Sequence, residues 1–129
     1  MIVVDSSALL CLLLGEPESE RIAVSLENSP KALIAAPTLL EASIVAEARL
    51  GPRGVLNLQA VMRAAGIEVA GFTADEAQVA AEAWRRFGRG RHPASLNYGD
   101  CMSYAMAITH HAPLLFVGDD FTITDITAA

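Results

Sequence analysis

The sequence predicts an α/β fold, in which helices cover both faces of a parallel sheet. Short apolar runs recur along the chain, and segments with the apolar spacing of helices lie between them. Helices between successive strands are typical of parallel sheets, because a parallel pair needs a crossover connection. Apolar residues make up 53% of the 129 residues, which is enough for a core on each side of the sheet. The length suits one domain over residues 1–129.

Four runs have the composition of strands buried on both faces, where Val, Ile, Leu and Ala predominate. In chain order they occupy residues 2–4, 32–36, 67–72 and 114–117. The third run alternates apolar and polar residues, and Pro113 separates the fourth run from the helix before it.

Six segments are predicted to be helical, and most are bounded by residues that begin or end helices. They are residues 8–14, which follow the capping side chains of Asp5, Ser6 and Ser7 and end at Gly15; a segment opened by residues 16–19 and closed by residues 28–30; residues 38–50; residues 55–65; residues 73–87; and residues 100–110. Residues 88–99 are the only long segment of turn composition, so they are the candidate functional loop.

Composition excludes several classes of protein. The formal charge of -6 argues against a general nucleic-acid coat protein, because phosphate binding depends on Lys and Arg. Cys11 and Cys101 lie in apolar stretches without metal-binding or disulfide spacing, so we expect buried free thiols and a reducing cytoplasmic location. The apolar first 15 residues lack a basic beginning and are too short to span a bilayer, so neither a signal peptide nor a membrane span is expected.

Acidic residues stand where strands end or helices begin. Asp5 follows the first strand, Asp119 and Asp120 follow the fourth, and Glu41 and Asp100 belong to the first turns of helices. Ligands of open α/β sheets bind beyond the carboxyl ends of the strands, so the fold would gather these carboxylates at one edge. Carboxylates so close together repel one another unless a cation compensates them. Oxygen ligands without a nearby His or Cys cluster favour Mg2+, with Mn2+ as the other possibility.

Each acid also has an ordinary structural explanation. Glu41 and Thr38 have the spacing of a capping box, in which Thr38 would be the N-cap. Asp100 has the position of a plain N-cap, and Asp5 that of a cap at a strand end. The acids after the fourth strand are also compatible with solvated turn residues. Only their joint placement at one sheet edge favours a metal site.

The chain resembles the PIN-domain ribonucleases, and in particular the VapC toxins of bacterial toxin-antitoxin pairs. The similarity covers nearly the whole chain, in the order of the family, through the segments IVVDSSALLCLLLGEP, PTLLEASIV, GRGRHPASLNYGDCMSYAMA and LLFVGDDFTITDI. It implies a single PIN domain: a three-layer α/β/α sandwich with a central, mainly parallel sheet of four to five strands. It also implies a metal-dependent endoribonuclease that forms a homodimer and is inhibited by a cognate VapB-type antitoxin.

The resemblance also assigns roles to residues. It implies that Asp5 and Asp100 are direct Mg2+ ligands and that Glu41 completes the site directly or through water. The fourth acid corresponds best to Asp120, with Asp119 as its neighbouring alternative. Asp125 matches a family feature to which no role is assigned, and Ser6 stands where Thr is common. The implied reaction is attack of a metal-activated water on an RNA phosphodiester, with 5'-phosphate and 3'-hydroxyl products and no Ser or His nucleophile.

Basic residues cluster next to the candidate functional loop. Arg85, Arg86, Arg89 and Arg91 lie within seven positions, and Arg89, Arg91 and Ser6 are candidate contacts to the RNA substrate. Arginines near a helix C-terminus also have an ordinary role, because they complement the helix dipole. The aromatic residues of this region, Trp84 and Tyr98, are expected to pack in the core or loop more than to stack on a base.

A mean hydropathy of +0.38 is high for so small a domain and favours surfaces that a second subunit or an antitoxin helix covers. Three other functions are alternatives to that of a ribonuclease. A phospho-acceptor receiver domain needs a Lys after its last strand, whereas the chain has only Lys31. A haloacid-dehalogenase-type phosphatase needs Asp at position 7, which is Ser7. A PIN-like module that binds RNA or protein without cleaving it is the remaining alternative.

Overall fold

Six helices and four strands make up the computed structural model, which describes residues 1–129. In chain order the elements are β1 (Ile2–Val4), α1 (Ser6–Leu14), α2 (Ser19–Glu27), β2 (Ala32–Ala35), α3 (Ala36–Leu50), α4 (Pro52–Ala65), β3 (Ile67–Ala70), α5 (Ala74–Phe87), α6 (Tyr98–Thr109) and β4 (Leu114–Leu115). The predicted α/β class and the order of the elements are confirmed, and several boundaries differ by a few residues.

The four strands form one sheet in the order β3-β2-β1-β4, and every pair is parallel. Val3 is paired with Leu33 of β2 on one side and with Leu114 of β4 on the other. The chain therefore moves outward from β1 to β3 and then returns to the far side of β1. The fold class binds ligands at such a reversal, and we call the region beyond the carboxyl ends of β1 and β4 the crevice.

Alternation along β1 divides the core into two halves. Ile2 and Val4 face a cluster formed with α1, α2, α3 and α4, whereas Val3 faces a cluster formed with α5 and α6. The result is the predicted three-layer α/β/α sandwich. The expected free thiols are also confirmed, since Cys11 and Cys101 are buried and unbonded. None of the six helices combines the length and the apolar character that crossing a bilayer would require.

Four helices begin two or three residues earlier than the sequence predicted, and the changes in α3 and α6 affect the acidic residues. Helix α3 starts at Ala36, directly after β2, because Pro37 is compatible with a first helical turn and restricts the backbone to helical φ values. Helix α6 starts at Tyr98, because Asn97 rather than Asp100 is its N-cap. Glu41 and Asp100 are thus displaced from the capping positions that local spacing indicated.

Candidate active site

Asp5 lies at the base of the crevice and is held by hydrogen bonds on both carboxylate oxygens. It is only 4% exposed and is the N-cap of α1, as predicted for a strand-end cap. Oδ2 accepts hydrogen bonds from the Ser7 amide at 3.1 Å and from the Ser7 hydroxyl, and Oδ1 accepts one from the hydroxyl of Ser103. A carboxylate has about four acceptor positions, so one on Oδ1 is left for a ligand.

Ser7 links Asp5 to the segment that follows β4. Its hydroxyl oxygen accepts a hydrogen bond from the Val117 amide at 3.0 Å while its proton is donated to Asp5. The Asp5 amide donates to the Leu115 carbonyl at 2.9 Å, which continues the pairing of β1 and β4. The two strand ends that border the crevice are therefore joined at Asp5 itself.

Asp100 belongs to the first turn of α6, and its prediction as a plain N-cap is wrong. Asn97 is the N-cap, and its side chain accepts a hydrogen bond from the Asp100 amide at 2.8 Å. In return, Asp100 Oδ2 accepts one from the Asn97 amide at 3.0 Å, which completes a capping box. Oδ1 of Asp100 remains available to a ligand.

Burial raises the pKa of Asp100 to about 6 against the opposing effect of the Asn97 hydrogen bond. The negative charges of Asp5, Asp120 and Glu41 raise the pKa further. Three carboxylates from separate elements thus act on a fourth. These smaller contributions indicate that the carboxylates of Asp5, Asp120 and Glu41 lie close enough to Asp100 for their charges to interact.

Glu41 is not part of a capping box, contrary to the prediction from its spacing to Thr38. The N-cap of α3 is Ala35, so Thr38 lies inside the helix, and its buried hydroxyl has no hydrogen-bond partner. The Glu41 carboxylate instead lies against the backbone of Gly99, next to Asp100. Helix α3 thereby brings its acid to the beginning of α6.

The two acids that follow β4 are both exposed, and they make different interactions. The negative charge of Asp120 contributes, after burial, to the raised pKa of Asp100. The Asp119 carbonyl accepts hydrogen bonds from the amide and the hydroxyl of Thr122, which closes a local turn. Phe121 is buried beside Phe116, with ring centroids 5.1 Å apart, and anchors this turn to the core.

The candidate substrate residues lie outside this group of acids. Ser7, not Ser6, supplies the hydroxyl that holds Asp5. Arg89 and Arg91 are exposed, and the guanidinium of Arg91 lies 4.4 Å from the ring centroid of Trp84. The expectation that Tyr98 packs is wrong, because its side chain is 83% exposed.

A cavity of about 660 Å³ lies beside the start of α6. Arg91, Trp84, Tyr98 and Cys101 contribute to its lining. Two of these residues, Tyr98 and Cys101, flank Asp100 in the sequence, so the cavity and the acidic crevice share the first turn of α6. The candidate functional loop, residues 88–99, therefore lies next to the acidic residues but contributes none of them.

Three residues of the site do not follow from the sequence. The position of Ser7 indicates a cap first and a supporting hydroxyl only by association, no motif singles out Gly99, and Ser103 contacts Asp5 across 98 residues of chain. Gly99 had a signal, since a glycine directly before an acid at a helix start allows close approach of another side chain. Ser103 had none, because its contact depends on how α6 packs against β1.

The acids suit a hydrated divalent cation. No three His, Cys, Asp or Glu side chains stand at the mutual spacing of a closed metal-ligand set. Mg2+ binds proteins through one or two carboxylates and retains several water molecules, so it does not require such a set. One free acceptor position on Asp5, the free oxygen of Asp100 and the uncompensated charge around them fit this mode of binding.

Comparisons with known proteins agree with this architecture. The family model "PIN domain" matches residues 2–126. The chain is 40% identical over 126 residues to a protein of Mycolicibacterium smegmatis named Ribonuclease VapC, and the alignment covers 98% of each chain.

Solved structures show the same fold at low sequence identity. Mycobacterium tuberculosis VapC20, a Sarcin-Ricin loop cleaving toxin, has a TM-score of 0.80 at 18% identity, with 100% of this chain and 98% of that chain covered. A toxin-antitoxin complex from Klebsiella pneumoniae has a TM-score of 0.73 at 18% identity, with 100% and 97% covered.

Proposed function

The chain belongs to the PIN-domain family, within its VapC branch, and from this premise we propose that it is a metal-dependent endoribonuclease, the toxin of a VapBC-type toxin-antitoxin pair. The observation that carries the proposal is the gathering of acids from separate elements where the strand order reverses: the Glu41 carboxylate lies against Gly99, and the charges of Asp5, Asp120 and Glu41 act on Asp100. Residues 1–129 would form one catalytic domain.

The proposed cofactor is Mg2+, with Mn2+ as a substitute. Asp5 and Asp100 would be the direct ligands, because each has an oxygen with a free acceptor position. Glu41 and Asp120 would hold water molecules around the ion. Such an ion supplies an acidified water molecule as the nucleophile and neutralises charge on the phosphoryl oxygens.

The residues of the chain contribute orientation and charge. Ser7 and Ser103 fix both oxygens of Asp5, so that carboxylate cannot rotate away from the crevice. The Asn97 amide fixes one oxygen of Asp100 and directs the other outward. Groups held in this way need little reorganisation when the substrate binds, which is the main source of catalysis by preorganised charge.

RNA is the proposed substrate, and the basic loop is proposed to hold its backbone. Arg91 is exposed and lines the cavity at the start of α6, and Arg89 is exposed two residues earlier in the same loop. Such charges would bind the phosphates that flank the scissile bond, and they would compensate for the overall charge of -6. The Ser6 hydroxyl, which does not hold Asp5, would be free to contact the same backbone.

Two apolar surfaces support the proposed protein partners. Leu40 and Ile44 on α3 are 61% and 60% exposed. They follow Pro37 of the same helix, which lines the cavity at the start of α6. This face is the proposed contact between two copies of the chain.

A second groove, of about 430 Å³, lies between α1, α2 and α4 and is lined mainly by small and aliphatic side chains. It has the character of a site for an amphipathic helix, and a VapB-type antitoxin is its proposed ligand.

Cleavage of RNA by the purified chain, free of antitoxin, tests the proposal. Activity should require Mg2+ or Mn2+, disappear with EDTA, and fall to background in Asp5→Asn and Asp100→Asn. Asp75→Asn is the matched control, because Asp75 is an exposed acid in the first turn of α5. Circular dichroism should show folded variants. Cleavage that survives EDTA or both substitutions would refute the proposed mechanism.

A further inference from the structure

Asp125 joins the segment after β4 to helices α5 and α6. Its Oδ1 accepts a hydrogen bond from the Tyr104 hydroxyl at 2.7 Å, and its Oδ2 accepts one from Arg86 Nη2 at 3.3 Å. Arg86 Nη1 also lies 3.4 Å from the Tyr104 hydroxyl oxygen, so the three side chains form a closed triangle. We call Arg86, Tyr104 and Asp125 the C-terminal clamp.

The position of the C-terminal clamp relates it to two acids of the crevice. Tyr104 lies four residues after Asp100 on α6, which is about one helical turn. Asp125 lies five residues after Asp120, in a segment without regular helix or strand. The clamp is therefore a polar connection between the element that carries Asp100 and the turn that carries Asp120.

The turn has few other anchors. Phe121 is buried at 2% exposure, but its neighbours Asp119, Asp120 and Ile123 are exposed. Further along, the chain is fixed again where Ala128 pairs with Leu114. Between these two points, Asp125 makes a side-chain hydrogen bond to α6, while Ile126 adds apolar packing against the same half of the core.

We propose that the C-terminal clamp is a positioning device, which holds the turn so that Asp120 stays close to Asp100 despite the repulsion between their charges. This inference rests on the proposed function, because it assigns a purpose to the spacing of those two acids. Without the clamp, the turn would move outward and the crevice would lose one of its carboxylates.

The two interactions that Asp125 makes in the clamp differ in strength. Tyr104 is 3% exposed, and a hydrogen bond from a buried hydroxyl to a carboxylate is strong and directional. Burial, followed by the bond to Asp125, raises the pKa of Tyr104 to about 12, so its hydroxyl remains a donor at any physiological pH. The Arg86–Asp125 ion pair is about half exposed, and such pairs contribute little. Removing the Tyr104 hydroxyl should therefore have a larger effect than removing the Arg86 charge.

The test measures Mn2+ binding by calorimetry and amide hydrogen exchange of residues 117–126 in the full chain. Tyr104→Phe and Asp125→Ala should weaken Mn2+ binding about 10-fold to 100-fold, the range for residues that orient metal ligands. Both should also accelerate exchange in the turn. Asp125→Asn should restore most of the affinity, because its amide oxygen still accepts from Tyr104, and Arg86→Gln should have a smaller effect.

Glu68→Gln is the matched control, because it removes the exposed Lys31–Glu68 ion pair at the β3 edge of the sheet, opposite the clamp. A double-mutant cycle that combines Tyr104→Phe with Asp120→Asn distinguishes positioning of Asp120 from a purely structural role of the clamp. If the clamp acts through Asp120, Tyr104→Phe should cause no further loss of Mn2+ affinity in the Asp120→Asn background.

The positioning role of the clamp would be refuted if Tyr104→Phe and Asp125→Ala kept the wild-type Mn2+ affinity. Additive losses of Mn2+ affinity in the double-mutant cycle would also refute it. The proposed function would stand after either of these results if the wild-type chain still cleaved RNA in a metal-dependent reaction. Conversely, a chain whose Mn2+ affinity depends on the clamp but that cleaves no RNA would refute the proposed function alone. Wild-type exchange rates at residues 117–126 in Tyr104→Phe would also contradict the clamp, independently of any metal.

Discussion

The carboxylate of Glu41 rests against Gly99, and a β-carbon at position 99 would overlap its Oε2 atom. The contact joins α3 to the first turn of α6, one residue before Asp100. A glycine is needed here for space, since position 99 does not have the left-handed backbone that favours glycine. The absence of one methyl group thus lets two acids approach from different helices.

Gly99→Ala should impair the site and leave the fold intact. The flexible end of Glu41 can move away from the new methyl group, so the unfolding temperature should change little while Mn2+ affinity falls by about tenfold. Gly71→Ala is the control, because a β-carbon there meets nothing within 4 Å and the backbone is not left-handed. Calorimetric Mn2+ titrations of both variants check the prediction. Equal affinities would contradict the role assigned to the contact.

Asp100 should make stability depend on pH when divalent ions are absent. Its pKa is about 6 in the folded chain and has an ordinary value of 3.8, so the folded state binds its proton more tightly. Stability is therefore lost as the pH rises from about 4 to about 6, and the loss is complete above that range. In EDTA, Asp100→Asn should unfold at a higher temperature than the wild type above pH 6.

The difference between Asp100→Asn and the wild type should become small near pH 4, where the folded-state carboxyl group is protonated, and should disappear only below the ordinary pKa of 3.8, where the group is protonated in both states. The Asn side chain can still accept from the Asn97 amide, so the capping box does not confound the comparison. Adding Mg2+ at neutral pH should reverse the order of the two proteins. Thermal unfolding from pH 4 to 8 tests this, and parallel curves for the two proteins would contradict it.

Substitutions of the adjacent residues Asp119 and Asp120 should have very different effects on the rate of RNA cleavage. Asp120→Asn should lower the rate of RNA cleavage at least about tenfold, because its charge acts in the crevice. Asp119→Asn should retain nearly full activity, because the Asp119 carbonyl, which the substitution keeps, makes its hydrogen bonds with Thr122. Single-turnover cleavage assays of the two variants measure the difference. A larger loss in Asp119→Asn would transfer the role of the fourth acid to Asp119.

Ser103→Ala should destabilise the chain through Asp5. The buried Asp5 oxygen would lose its donor, and a hydrogen bond to a charged group contributes about 1.5–3 kcal/mol. We expect the free energy of unfolding in urea to fall by about 2 kcal/mol. Thr109→Val provides the comparison, since the Thr109 hydroxyl bonds only carbonyls of its own helix. Equal losses in the two variants would show that the Asp5 contact contributes nothing special.

Thr38→Val should stabilise the protein. The Thr38 hydroxyl is buried without a partner, and valine has nearly the same shape and the same branching at Cβ. Removing an unsatisfied polar group should raise the free energy of unfolding by about 1 kcal/mol. Urea denaturation measures this change, and RNA cleavage should be unaffected. A loss of stability would instead indicate that the hydroxyl binds a buried water molecule.

Local signals predicted most of the fold and failed at particular residues. The apolar runs and the turn residues between them determine the order of strands and helices, and Thr73 and Glu76 form the capping box that their spacing predicts. The same spacing at Thr38 and Glu41 forms none, because β2 runs directly into α3 and the helix begins earlier. A capping motif is effective only where the helix begins, and tertiary packing of the strand decides that point.

The sequence by itself determined the α/β class, the family resemblance and the acids that meet at one sheet edge. Only the tertiary structure decided that Ser103 holds Asp5 and that Glu41 rests on Gly99. The physical reason is separation along the chain. Strand and helix signals arise from neighbouring residues, whereas each of these contacts joins elements far apart in sequence, which only the packing of α3 and α6 around β1 brings together.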